Sequence, residues 1–161
     1  MADPQDYRAV LNLQAALLAI SVAGGFNFNV AATAVKLDPD HAAEQNAAAD
    51  GVRPLLLIVP PVDQAETWEF QPARRVRVTH SFEIHWVGDS VVTEDASRIH
   101  NFYLACQDIE RAITQDISRG GVAADTRITG RRFDTSTEVR ADRVWAVVTV
   151  QIVIHRQYGQ A

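Results

Sequence analysis

The chain is poor in the residues and motifs that announce a catalytic or nucleic-acid-binding role. Cys106 is its only cysteine, which excludes an internal disulfide and a zinc ribbon. The longest apolar run near the start, Ala15–Phe26, is interrupted by Ser21, Gly24 and Gly25 and is too short to cross a bilayer. The N-terminus carries Asp3 and Asp6 and lacks the basic region of a signal peptide, so the expectation is a soluble protein made in the cytoplasm. No GxxxxGK(S/T), no GxGxxG after a strand and no GxSxG occurs. Lys36 is the sole lysine, and the formal net charge is −5. A basic field able to displace counterions from phosphate is missing, which argues against a primary DNA- or RNA-binding role.

What is present is a globular composition. The 161 residues are 47% hydrophobic and 22% charged, enough for one domain with a real core. The charge is uneven: residues 1–69 sum to −6 and residues 70–161 to +1. Arginine supplies nearly all the positive charge, which fits both protein interfaces and a GC-rich coding sequence.

Hydrophobic periodicity gives the elements. Asp3 as cap and Pro4 at the first helical position open a helix. Tyr7, Val10, Leu11, Leu17 and Leu18 recur along it, and Gly24-Gly25 is expected to close it. Phe26–Val30 alternates as a strand does. Residues 31–53 give no clear pattern, although Asp38-Pro39 can start a short helix. Leu55–Val59, bounded by Pro54, Pro60 and Pro61, reads as a strand buried on both faces. A polar stretch from Asp63 to Pro72 holds Trp68 and Phe70. Residues 74–86 alternate: Arg74, Val76, Val78, His80, Phe82, Ile84 and Trp86 on one face, Arg75, Arg77, Thr79, Ser81, Glu83 and His85 on the other.

Gly88-Asp89 is expected to turn the chain. Thr93 is a plausible cap for a long helix over 94–119, with Ile99, Phe102, Cys106, Ile109 and Ile113 as its apolar stripe and Gly120-Gly121 as its stop. Strands over 126–133 and 143–156 follow, separated by a polar loop at 134–142. This order predicts an α+β fold in a single domain over 1–161: an antiparallel or mixed β-sheet with two main helices packed on one face.

The candidate chemistry is thin. Glu83 and His85 share a strand face while His80 points the other way, and two potential ligands do not make a metal site. His100 and Cys106 lie on well-separated helix faces, and Cys106 belongs to the apolar stripe. We therefore expect no enzyme, no cofactor and no metal. Arginines and aromatics in polar segments point instead to interactions. The candidate interface residues are Trp68, Phe70, Arg74, Arg75, Arg77, Arg131, Arg132, Phe133 and Arg140.

The sequence of elements resembles the tail terminator (tail completion) family of long-tailed phages and phage-like gene transfer particles. The resemblance rests on the helix Tyr7 to Leu18, the irregular acidic stretch with Asp38-Pro39, the proline-bounded Leu55–Val59 and the Arg-rich strand 74–86. The long helix closed by Gly120-Gly121 and a final strand with Trp145 complete it. The resemblance implies a structural protein that forms a homo-hexameric ring on the last ring of tail tube protein. Such a ring stops tube growth and offers a surface to the head-side connector or neck protein. It implies no cofactor, no membrane and DNA only as passing cargo, with assembly in the bacterial cytoplasm and residence in the virion tail. The segments 61–73 and 134–142 are then the expected contacts. The alternatives are another head–tail connector, neck or baseplate component, or a small α+β enzyme or ligand-binding domain using the face with Ser81, Glu83 and His85.

Overall fold

The computed structural model describes residues 4–31, 35–37, 54–60, 66–72, 75–89, 95–133 and 143–157. Asp3, Asp38-Pro39, Arg74, Thr93, Arg140 and the segment 134–142, all singled out above, lie outside the described residues. The elements are α1 (Gln5–Leu18), β1 (Val35–Leu37), β2 (Leu55–Val59), β3 (Glu66–Gln71), β4 (Arg75–Asp89), α2 (Asp95–Thr114), β5 (Asp125–Phe133) and β6 (Arg143–Gln157). The expected α+β class is what the chain forms.

The six strands make one sheet in the order β1-β2-β4-β6-β5, with β3 also paired to β4. Among the described residues β1 and β2 alone run parallel, and the other pairs are antiparallel. The backbone of the sheet is the β4–β6 ribbon, in register from Arg75↔Gln157 to Asp89↔Arg143. At 15 residues per strand, this ribbon is about 50 Å long. β2 pairs with the Glu83–Val87 half of β4 and β3 with the Arg75–His80 half. The two short strands therefore share one edge of β4.

Alternation sets which residues enter the core. Leu56, Ile58, Ile84, Trp86, Ala146, Val148, Val150 and Ile152 share a face by register. They join one cluster with Ala9, Leu13 and Leu17 of α1 and Phe102, Cys106, Ile109 and Ile113 of α2. Leu55, Leu57, Val59 and Val87, from the opposite face, form a second, smaller cluster. The continuous apolar run of β2 is thus explained: all five of its residues are buried, alternately into one cluster and the other.

Several local expectations are corrected. Pro4 occupies the cap position of α1, not its first turn, because its ψ of 143° is extended. The helix stops at Leu18, before Gly24-Gly25. Those glycines instead close a 3-10 turn (Val22–Gly24), capped by the Ser21 hydroxyl and by Gly25 at φ 84°. Phe26–Val30 is not a strand. Its amides are taken by other partners: Asn27 and Phe28 donate to the Asp108 carboxylate, and Val30 donates to Ile20. Gly88-Asp89 is not a turn either, since both residues remain paired to β6. A Cβ on Gly88 would sit 2.8 Å from the Trp86 indole nitrogen, so glycine is there for close packing. α2 ends at Thr114, not near residue 119. Ile99 is exposed while the rest of its stripe is buried. The polar stretch holding Trp68 and Phe70, given no element above, forms a strand over Glu66–Gln71.

Candidate functional site

Residues 66–71 read Glu-Thr-Trp-Glu-Phe-Gln, alternating polar and apolar with two strong strand formers. That signal was available in the sequence. It was masked by the number of polar residues and by the prolines that flank the stretch. In the structure β3 forms a hairpin with β4, from Gln71↔Arg75 back to Glu66↔His80. Five of the six β3 residues are exposed. Among the described residues no strand pairs with its outer edge.

The hairpin has two chemically different faces. Trp68 stands opposite Val78 and Phe70 opposite Val76. Both aromatics are exposed, Phe70 by 72% and Trp68 by 48%. Arg75 and Arg77 point to the other face, where Arg77 reaches Glu69 at 3.5 Å. One ribbon thus carries aromatic surface on one side and guanidinium groups on the other.

A chain of charged groups around the buried His80 fixes the aromatic face to α1. The Arg156 guanidinium lies 5.4 Å from the Trp68 ring centre and pairs with Asp6. Asp6 is 3.4 Å from His80 Nε2, and His80 Nδ1 is 3.3 Å from Glu66 Oε1. The Trp68 indole N–H donates to Glu66 Oε2 at 3.1 Å. Two carboxylates beside an imidazole favour its charged form. Burial outweighs them here: it lowers the His80 pKa, and Glu66 opposes it. The unfolded chain therefore takes up the proton first, near pH 6.5. The neutral ring contributes stability above that pH, and this contribution is lost as the pH falls toward the folded pKa. Unfolding in urea at pH 7.5 and 5.5 should show a smaller acid-induced loss in His80→Gln than in the native chain. Equal losses would remove His80 as the source.

The other candidate residues lie on the far edge of the sheet. β5 is separated from β3 by β6 and β4. Arg131 pairs with Glu110 of α2, and Arg132 grips Glu83 through two bonds of 3.0 and 3.1 Å. The Phe133 ring packs edge-on against Phe102 at 5.4 Å. Trp68, Phe70, Arg75 and Arg77 therefore form one group, and Arg131, Arg132 and Phe133 another that is tied inward. The inward ties pair residues up to 49 positions apart, which no local pattern reveals.

The groups weighed for chemistry fall out as follows. Glu83 and His85 contact each other at 2.9 Å, and His80 lies on the opposite face. Among the described residues no cluster of three or more His, Cys, Asp or Glu is placed to hold a metal ion. Cys106 is fully buried, and desolvation raises its pKa to about 11. A rise of about two units leaves roughly 100-fold less thiolate at any given pH below it. Native protein at pH 8 should react with a thiol reagent about 100-fold more slowly than urea-unfolded protein. Comparable rates would contradict the burial.

No helix among the described residues is long and apolar enough to cross a membrane. No protein-family model matches the chain, and no curated protein sequence does.

Proposed function

We propose that this protein is a structural, non-enzymatic component of a phage-type tail that ends tail-tube growth and offers the joining surface for the head-side connector. It works as a homo-hexameric ring seated on the last ring of tube protein, with DNA passing through as cargo. The observation that carries the reading is the β3–β4 hairpin, a ribbon with Trp68 and Phe70 exposed on one face and Arg75 on the other. Exposed aromatics and arginines are what protein interfaces are built around.

The mechanism is geometric. A ring needs head-to-tail contacts that close on themselves. Its tube-facing side reproduces the contact one tube ring makes with the next, and its far side does not, so addition stops. The protein acts in the virion tail after assembly in the bacterial cytoplasm. Electron microscopy of the purified protein, with and without tail tubes, tests this reading. Density at one tube end, or free closed rings of six, is the expected result. A monomer that leaves tube ends bare would overturn it.

A further inference from the structure

The turn after α2 buries a guanidinium that has no carboxylate partner among the described residues. Arg119, Gly120 and Gly121 all adopt left-handed backbone conformations, with φ of 49°, 68° and 78°. This folds Arg119 under the C-terminal end of α2, where it is 1% exposed and donates through Nη2 to the Ile113 carbonyl. Its Nε and Nη1 groups are buried and, among the described residues, have no acceptor. The nearest acid in sequence, Asp116, is spent on the turn: it accepts from the Ser118 amide and hydroxyl and from the Gly120 amide. A guanidinium keeps its charge under nearly all conditions and presents donors only. Burial lowers its pKa, and Asp116 works against that. Buried donors of this kind normally have partners.

An open surface cleft of about 360 Å³ lies beside it, lined by Arg8, Leu11, Asn12, Arg119, Gly120 and Val122. Arg8 is exposed on α1 and, among the described residues, has no acidic partner. The Gln5 side chain donates to the Val122 carbonyl at 2.7 Å and holds the turn against α1. Asn12 lies close enough that a Cβ on Gly120 would be 3.2 Å from its amide nitrogen. The walls thus offer the Arg8 guanidinium and the Asn12 carboxamide on one hand, with the unpaired Arg119 charge sealed behind them, and Leu11 and Val122 on the other.

We infer that this cleft binds a small organic oxyanion, a phosphomonoester or carboxylate, whose charged head meets Arg8 and Asn12, offsets the unpaired Arg119 charge just beneath them, and whose carbon skeleton rests on Leu11 and Val122. The guanidinium fork matches the paired oxygens of either head group. The volume lies within the range of small-molecule sites and exceeds what a bare phosphate fills. In a chain of net charge −5, such a cation-lined cleft selects anions against the overall field.

The test is titration of the full chain with phenyl phosphate, benzoate and inorganic phosphate, followed by amide chemical shifts. Phenyl phosphate or benzoate should saturate, with the largest shifts at residues 8–12 and 119–122, and should bind more tightly than inorganic phosphate. The tighter of the two identifies the head group. Arg8→Glu, a change at an exposed helix position that spares the fold, should weaken binding at least about tenfold, equivalent to about 1.4 kcal/mol. Non-saturating shifts with all three anions, shifts centred elsewhere, or unchanged affinity in Arg8→Glu would overturn the proposal. Equal affinity for phenyl phosphate and inorganic phosphate would remove the organic part of it.

Discussion

Replacing Asp108 with alanine should destabilise the protein by about 3–5 kcal/mol, the largest loss expected from a single polar substitution. Asp108 is a carboxylate 1% exposed on α2. It accepts from the Asn27 amide at 2.9 and 3.0 Å, from the Asn27 side chain at 2.7 Å and from the Phe28 amide at 3.0 Å. These bonds hold the 26–30 segment across the end of the core. There Phe28 lies 5.0 Å from Trp86, and Arg111 stacks over Phe26 at 4.9 Å. Truncation strands several donors at once, and an unmet buried donor costs about 1–3 kcal/mol. For a chain of this length the midpoint of thermal unfolding should fall by on the order of 10 °C. Asp108→Asn keeps one acceptor oxygen and should lose about half as much. A loss below about 1 kcal/mol in urea unfolding of Asp108→Ala would mean that water replaces the carboxylate and that the 26–30 segment is not anchored there.

Phe70→Asp combined with Trp68→Ala should have the opposite profile, a stable protein that no longer assembles. Phe70 is largely exposed and Trp68 about half exposed, touching the solvent-accessible Arg156 and Glu66, so the fold should change by no more than about 1 kcal/mol. An interface centred on two aromatics loses about 2 kcal/mol or more per anchor when they are removed. Binding to tube ends should therefore fall by at least about 100-fold. Sedimentation of the variant with tubes measures this directly. Undiminished co-sedimentation would move the contact away from this hairpin.

Sequence pattern carried the parts of the fold in which each residue's environment is set by its own strand or helix. Leu55–Val59 is apolar because both of its faces are buried, and the alternation through residues 76–80 mirrors the burial observed, whereas further on Phe82 is only half-buried and His85, on the face expected to be wet, is buried. Where a distant partner decides the backbone, the pattern misled. Phe26–Val30 has strand spacing, but Asp108, some 80 residues away, claims its amides. The end of α2 is set by the Thr114 hydroxyl bonding back to Glu110 and by Asp116 organising the next turn, not by the later glycines. The candidate interface was legible as residue types and not as a surface. Trp68 and Arg77 point to opposite faces of one hairpin because their pairing with β4 places them so. Arg131 and Arg132 find acids on α2 and β4 that only the closed sheet brings near.

The central claim is that this chain ends tube growth, and tube length tests it most directly. Tail tube protein is polymerised with increasing amounts of this protein, and tube lengths are scored by electron microscopy. The account predicts that mean length shortens as the ratio rises, with one capped end per tube, and that the Trp68→Ala, Phe70→Asp variant leaves lengths unchanged. Tubes of undiminished length at excess protein would contradict it.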